Sequence, residues 1–331
     1  MSAHRAGVIE AKVEPHPNAD QLGIVRLGAF EVGVRKDQVK DGDLLAYIEP
    51  DTLVPVSRPE FAFLAAGANA EGFFRVRPKR FRGRWSQGLL VAAPEGLWVG
   101  NNAWDALGLR RYEPPEENAG QGKATSIAGV PDFLLTQGKY DVENLRRYPD
   151  ALDGHAVVIS EKLHGANARY CFADGKLWVG TRTRWIDPEA PSWWSAALKR
   201  RPIVEEWCRA NECRVLCGEV IGVQDLRYGV PSGEVDFRAF DVRDPAGYVL
   251  DPLPGLRDAR VPTVPEVCRM GPFLLGDGVE ALAEGQTLTG AGHLREGVVV
   301  RSLDEPVVET QDGVMRSVFK LVGNGYLERS R

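Results

Sequence analysis

A lysine that leaves an apolar strand is the residue of this sequence best placed for covalent chemistry. The run Val157-Val158-Ile159-Ser160-Glu161-Lys162-Leu163-His164-Gly165-Ala166-Asn167-Ala168-Arg169 delivers Glu161 and Lys162 to a strand end. Gly165 then lets the backbone turn tightly into a second strand, expected over Ala168 to Phe172. An amine held against apolar surroundings disfavours its charged form, so its pKa is expected to fall from about 10.4 and Lys162 becomes a candidate nucleophile. A lone lysine after a strand is more often simply solvated, so the reading depends on the company it keeps.

That company is present, and in a recognisable order. Lys162-Leu163-His164-Gly165-Ala166-Asn167 resembles the KxHGxN form of the first nucleotidyltransferase motif of ATP-dependent RNA ligases, relatives of DNA ligases and mRNA capping enzymes. Arg182, in Gly180-Thr181-Arg182-Thr183-Arg184, is similar to the arginine after the first hairpin of that family. Leu216-Cys217-Gly218-Glu219-Val220-Ile221-Gly222 resembles motif III, and Phe237-Arg238-Ala239-Phe240-Asp241-Val242 resembles motif IIIa. Arg295-Glu296-Gly297-Val298-Val299-Val300 is similar to motif IV and Val318-Phe319-Lys320 to motif V. Each string alone is weak; the ordered set, covering roughly Asp132 to the C-terminus, is not. The order of domains resembles the Deinococcus-type nick-sealing RNA ligases. Val318 stands where relatives often carry a second lysine, which leaves Arg316 as a possible substitute. Only about a dozen residues follow Lys320, too few for the C-terminal OB domain of DNA ligases and capping enzymes.

The resemblance implies a three-step ligation with ATP as AMP donor and Mg2+ or Mn2+ as metal. Lys162 attacks the α-phosphorus to form lysyl-AMP, AMP passes to a 5′-phosphate, and a 3′-hydroxyl displaces it. Lys320 is expected on the α-phosphate, where its charge would also depress the pKa of Lys162. Phe240 offers a flat face to the purine, with stacking worth about 1 to 3 kcal/mol. Glu161 could accept from the adenine exocyclic amine, which favours ATP over GTP. By resemblance Arg182 and Glu219 address the ribose and sugar-phosphate side, Glu296 helps position the metal, and Gly165 belongs to the nucleotide-binding loop. His164 and Asn167 are implied to act around the phosphates. A capping-type guanylyltransferase and a non-catalytic RNA-end-binding protein remain the alternatives.

A separate constellation lies upstream. Between Arg75 and Gln87, cations including Lys79, Arg80, Arg82 and Arg84 interleave with Phe81 and Trp85. Phosphate contacts beside aromatic faces suit single-stranded or nicked nucleic acid. The expected partner is nicked duplex RNA or an RNA/DNA hybrid with 3′-hydroxyl and 5′-phosphate ends. Pro15-His16-Pro17-Asn18-Ala19-Asp20-Gln21-Leu22 resembles the opening of OB-fold tRNA-binding modules, and fits a plain strand-entry turn equally well.

The elements that position these residues follow from the pattern. The 331 residues suffice for two domains with real cores. Short apolar runs to about Arg110 (Gly23 to Phe30, Glu31 to Val34, Asp43 to Ile48, Gly72 to Val76, Leu89 to Ala93) predict an N-terminal all-β OB-like domain over residues 1–112. Residues 113–130, rich in breakers and like charges around Glu113-Pro114-Pro115-Glu116-Glu117, read as a linker. Residues 131–331 mix strands with a few helices, one over Ser195 to Ala210, and predict an α+β nucleotidyltransferase (adenylation) domain with antiparallel-rich sheets.

A formal charge of -5 excludes gripping nucleic acid by global positive charge. The chain to Arg110 carries 14 Lys and Arg against 13 Asp and Glu, and the rest 27 against 33, so phosphate contacts are expected in the first part. Five cysteines without CxxC spacing suggest neither disulfides nor zinc. With no signal-peptide or membrane-spanning pattern, a cytoplasmic monomer is expected.

Overall fold

The computed structural model describes residues 5–112, 127–137, 140–310 and 313–329. Contacts divide it into two compact units: residues 1–115 with Arg146–Pro149 and the stretch from Asn324, and residues 116–145 with Asp150–Gly323. Most of the expected linker, residues 113–126, lies outside the described residues. At its end, Ile127 and Val130 pack against the cluster containing Leu134, Trp178 and Trp185.

The first unit is built from short antiparallel strands. One sheet pairs Val8–Glu10 and Leu89–Ala92 with a central Leu44–Ile48, a second pairs Arg110–Arg111 and Phe73–Arg75 with Thr52–Pro55, and a third runs Val13–Pro15, Leu22–Leu27, Phe30–Arg35. Phe30, Val32 and Val34 alternate inward along the last strand, as a sheet with one buried face requires. Val8, Ala46, Ile48, Val54, Phe61 and Leu107 form the core beneath. The expected run from Gly23 to Phe30 is broken by a turn at Gly28, which has φ +55 and whose Cβ would stand 3.0 Å from the Arg146 carbonyl oxygen. The 3-10 turn over Pro59–Gly67, which buries Phe61, carried no sequence signal.

The second unit holds two larger sheets. Five strands run in the order Glu143–Asn144, Val318–Val322, Gly297–Ser302, Val157–Lys162, Glu266–Met270. Six run Trp185–Ile186, Lys176–Gly180, Ala166–Ala173, Val215–Ile221, Asp236–Asp244, Gly247–Tyr248. Among the described strands only Glu143–Asn144 pairs in parallel, so the antiparallel-rich expectation holds. Among the described residues no helix is long and apolar enough to cross a membrane. All five cysteines are free.

The helix expected over Ser195 to Ala210 is two helices, Trp193–Arg200 and Pro202–Ala210. Pro202 removes a backbone donor and pushes Arg201 out of the helical region, to φ -124 and ψ 70, so the chain restarts with proline in the first turn. Ser192 caps the first helix: its side chain accepts from the Ser195 N–H while the Ser195 hydroxyl accepts from the Ser192 N–H. Ser192→Ala should therefore cost about 1 kcal/mol in a urea melt, and an unchanged midpoint would deny the cap any role.

Candidate active site

Register puts the key side chains on facing surfaces of the two sheets. In the five-stranded sheet Lys162 pairs with Gly297, and Ser160 pairs with Val299, which pairs with Lys320. Side chains paired across strands, or two apart along one, share a face, so Lys162 and Lys320 do. In the six-stranded sheet Asn167 lies opposite Glu219 on one face, and Cys217 opposite Asp241. Arg301, from the first sheet, donates to Asp241 at 3.1 Å, so these faces meet.

The amine of Lys162 lies 2.6 Å from Glu296 Oε1, because Glu296 immediately precedes the residue paired with Lys162. Burial alone would depress its pKa, yet the carboxylates of Glu296 and Glu219 outweigh burial and raise it. This reverses the sequence expectation, which counted the low dielectric but not two acidic neighbours. The cation pressing against the amine is Arg182. Glu219 is pushed up to about 8, first by burial and also by Glu296, against the pull of Lys162. It accepts the N–H of Gly165, where a Cβ would sit 2.2 Å from the Val220 carbonyl oxygen, so glycine is required.

His164 stands beside the amine. Its Nδ1 is 3.7 Å from Glu296 Oε2 and its Nε2 is 3.2 Å from Asp225 Oδ1. Burial holds its pKa below the ordinary imidazole value. The Oε2 of Glu296 and Oδ1 of Asn167 are buried acceptors without a hydrogen-bond donor. Across the cleft, Asp141 takes Arg182 at 2.9 Å and lies 4.0 Å from the Lys320 amine. Phe240 is the extra residue of a β-bulge, between the pairs Cys217–Asp241 and Gly218–Ala239. It packs on Tyr140 at 4.9 Å and on the cluster that holds Leu163.

Glu161 lies on the other face of the same strand, and its Oε1 is a buried acceptor without a hydrogen-bond donor. It is 1% exposed, and its Oε2 accepts the Leu288 N–H at 2.8 Å. Arg316 does not fill the place of Val318. Its guanidinium bonds Asp241 at 2.7 Å and covers Tyr248 at 3.4 Å, while Val318 is core. Sequence reading missed Tyr140, Asp141, Asp225 and Tyr228. They lie in stretches without periodicity, and only the fold brings them to the cleft.

The upstream cations form an exposed hairpin, Lys79–Phe81 paired with Arg84–Ser86. Arg84 is engaged by Glu31 at 2.6 Å, and the Arg80 guanidinium lies 4.9 Å from the Trp85 ring centroid. Lys79, Arg80 and Arg82 are exposed. The Pro15–Leu22 segment buttresses the hairpin tip: His16 Nε2 lies 3.2 Å from the Phe81 carbonyl oxygen, and Asn18 donates to that of Arg82 at 2.9 Å.

Two antiparallel-rich sheets that enclose a lysine, three carboxylates and two further cations define a covalent-nucleotidyltransferase fold, which follows an OB domain along the chain. Comparison agrees with both halves: an RNA ligase family model matches residues 155–322, and an OB-fold domain model matches residues 8–93. The first match spans more than half of the chain, which therefore belongs to the RNA ligase family and is an enzyme of that class. No curated protein matches. Solved structures of a Naegleria gruberi RNA ligase share the fold. A variant with ATP and manganese gives TM-score 0.81 at 23% identity over 99% of both chains, and a pyrophosphate complex gives 0.80 at 24% over 98% of both.

Proposed function

We propose that this chain is an ATP-dependent RNA ligase of the Deinococcus nick-sealing type, joining a 3′-hydroxyl RNA end to a 5′-phosphate in nicked duplex RNA or RNA/DNA hybrid. The observation that carries the reading is the Lys162 amine, shielded at a strand end and held by Glu296 at 2.6 Å, with Arg182 and Glu219 acting on it. In the first step the Lys162 nitrogen bonds to the α-phosphorus, the bond to pyrophosphate breaks, and the amine gives up a proton. Arg182 and Lys320 exchange Asp141 for the phosphates. AMP then passes to the 5′-phosphate and leaves when the 3′-hydroxyl attacks. Phe240 stacks on the adenine, and Glu161 serves instead to anchor the Leu288 loop.

ATP is supported as donor by the Naegleria ligase complex with ATP and manganese. Among the described residues no cage of three or more His, Cys, Asp and Glu is preformed. A hard cation held by one or two carboxylates plus substrate phosphates needs none, and the donorless Oε2 of Glu296 suits it. Such an ion, when bound, would neutralise triphosphate charge and loosen the carboxylates' hold on the Lys162 ammonium.

Adenylation belongs to the second unit, with residues 113–130 as the boundary, and substrate gripping to the first. Replacing Lys79, Arg80 and Arg82 by alanine should weaken nicked-RNA binding, flatten its log–log salt slope by about 2 to 3, and leave adenylylation intact. An unchanged salt slope would remove the hairpin from the interface. The ligase reading is tested with α-labelled nucleotides and nicks bearing ribo or deoxy 3′ ends. Covalent label from ATP and sealing at a ribo 3′-hydroxyl are expected. Lasting label from GTP alone would mark a capping-type guanylyltransferase, and RNA-end binding without label from either a non-catalytic protein.

A further inference from the structure

We propose that Asp225 is a positioning residue that keeps a proton on Nε2 of His164 and thereby fixes the ring with Nδ1 turned toward Glu296. The assignment rests on the ligase reading for its consequence and on geometry for its existence. The loop between the Val215–Ile221 and Asp236–Asp244 strands grips the His164–Gly165 turn at three points. Tyr228 Oη accepts the His164 N–H at 2.7 Å, Gln224 Nε2 donates to the Gly165 carbonyl oxygen at 2.8 Å, and Asp225 Oδ1 lies 3.2 Å from His164 Nε2. Backbone and ring of one residue are thus held from one loop.

That loop is itself braced by hydrogen bonds. Arg227 donates to the carbonyl oxygens of Val230, Pro231 and Glu234. Tyr228 adopts φ +53, unusual for a bulky residue, and is held there by burial among Leu163, Ile221, Val230 and Leu253. Its ring meets His293 edge-on at 4.9 Å. Asp225 contrasts with it: its side chain is 71% exposed and contributes nothing to the core. A carboxylate that accepts one ring N–H of a histidine determines which nitrogen faces the reacting groups, as partners of metal-bound and catalytic histidines do. Glu296 and Lys162 also act on the ring.

The exposure of Asp225 makes the test clean, since its removal leaves the core untouched. The five histidines of the full chain can be 15N-labelled and the His164 resonances assigned by their loss in His164→Ala. At pH 8, long-range 1H–15N spectra should show His164 protonated on Nε2 in the wild type, mixed tautomers in Asp225→Ala, and Nε2 again in Asp225→Asn, whose amide oxygen can accept. In single-turnover assays of adenylylation and of sealing from a pre-adenylylated nick, Asp225→Ala should slow whichever step His164→Ala slows, by about tenfold or more. Asp225→Asn should stay within about threefold of wild type, and the Asp225→Ala, His164→Ala double variant should be no slower than His164→Ala alone. A wild-type Nδ1 tautomer, a spectrum indifferent to Asp225→Ala, or losses that multiply in the double variant would overturn the proposal. If ATP leaves no label on the wild-type protein, the ligase reading fails while the tautomer still decides this one.

Discussion

Lys162→Ala should lower the rate of adenylylation by at least about a thousandfold, because it removes the atom proposed to bond AMP. The wild-type rate should also climb with pH. In the nucleotide-free cleft Glu296 and Glu219 raise the pKa of the Lys162 amine despite its burial. Below a raised pKa the neutral fraction of an amine grows as pH rises, up to tenfold per unit. Glu219, poised at about 8, becomes a better partner for cations over the same range. Single-turnover formation of the protein–AMP adduct should thus be about tenfold or more faster at pH 9 than at pH 6. A flat profile would mean that loss of the amine proton does not limit the step. Glu219→Gln should remove part of the hold on the ammonium and shift the rising limb to lower pH.

The second large effect is on stability. Asp241 is fully buried and accepts from Tyr140 at 2.7 Å, Arg316 at 2.7 Å and Arg301 at 3.1 Å. Burial favours its neutral form, but the two guanidinium groups outweigh burial and hold its carboxyl below the ordinary range. Arg301 is buried as well, 7% exposed at its side chain. Asp241→Ala strands that guanidinium without its counter-charge and should cost about 3 to 5 kcal/mol of unfolding free energy. Asp241→Asn keeps acceptor geometry for one donor and should cost less. Because the carboxyl pKa is depressed, this stability is present above the unfolded-state value and is lost as pH falls through the folded one. Urea melts at pH 7 measure both variants, and an alanine variant within about 1 kcal/mol of wild type would show the network to be dispensable. Because Tyr140 packs on Phe240 and Arg301 donates to the Phe240 carbonyl oxygen at 3.2 Å, losing Asp241 should also weaken nucleotide binding.

What could be read in the chain was its strands and the groups at their ends. Lys162 follows a buried run and Glu296 precedes another, so their pairing across adjacent strands follows once the sheet is formed. Glu219 and Asn167 were marked by resemblance to the family motifs, not by periodicity. The limits are equally physical. Glu161 and Lys162 are neighbours in sequence, and pleating sends neighbours to opposite faces of the strand. The sign of the Lys162 shift depended on two carboxylates that lie 57 and 134 positions away along the chain. Asp141, Asp225 and Tyr228 sit in loops, where no periodicity marks a partner. Pro202 was visible, and its effect on Arg201 split one expected helix into two.

On the proposed mechanism, Lys162 itself receives the nucleotide. Intact-mass analysis of the full chain after incubation with ATP and manganese, followed by peptide mapping, addresses it directly. A gain of one AMP is expected, carried by the peptide containing Lys162 and absent from Lys162→Ala. An adduct on any other residue, or one that survives in Lys162→Ala, would contradict it.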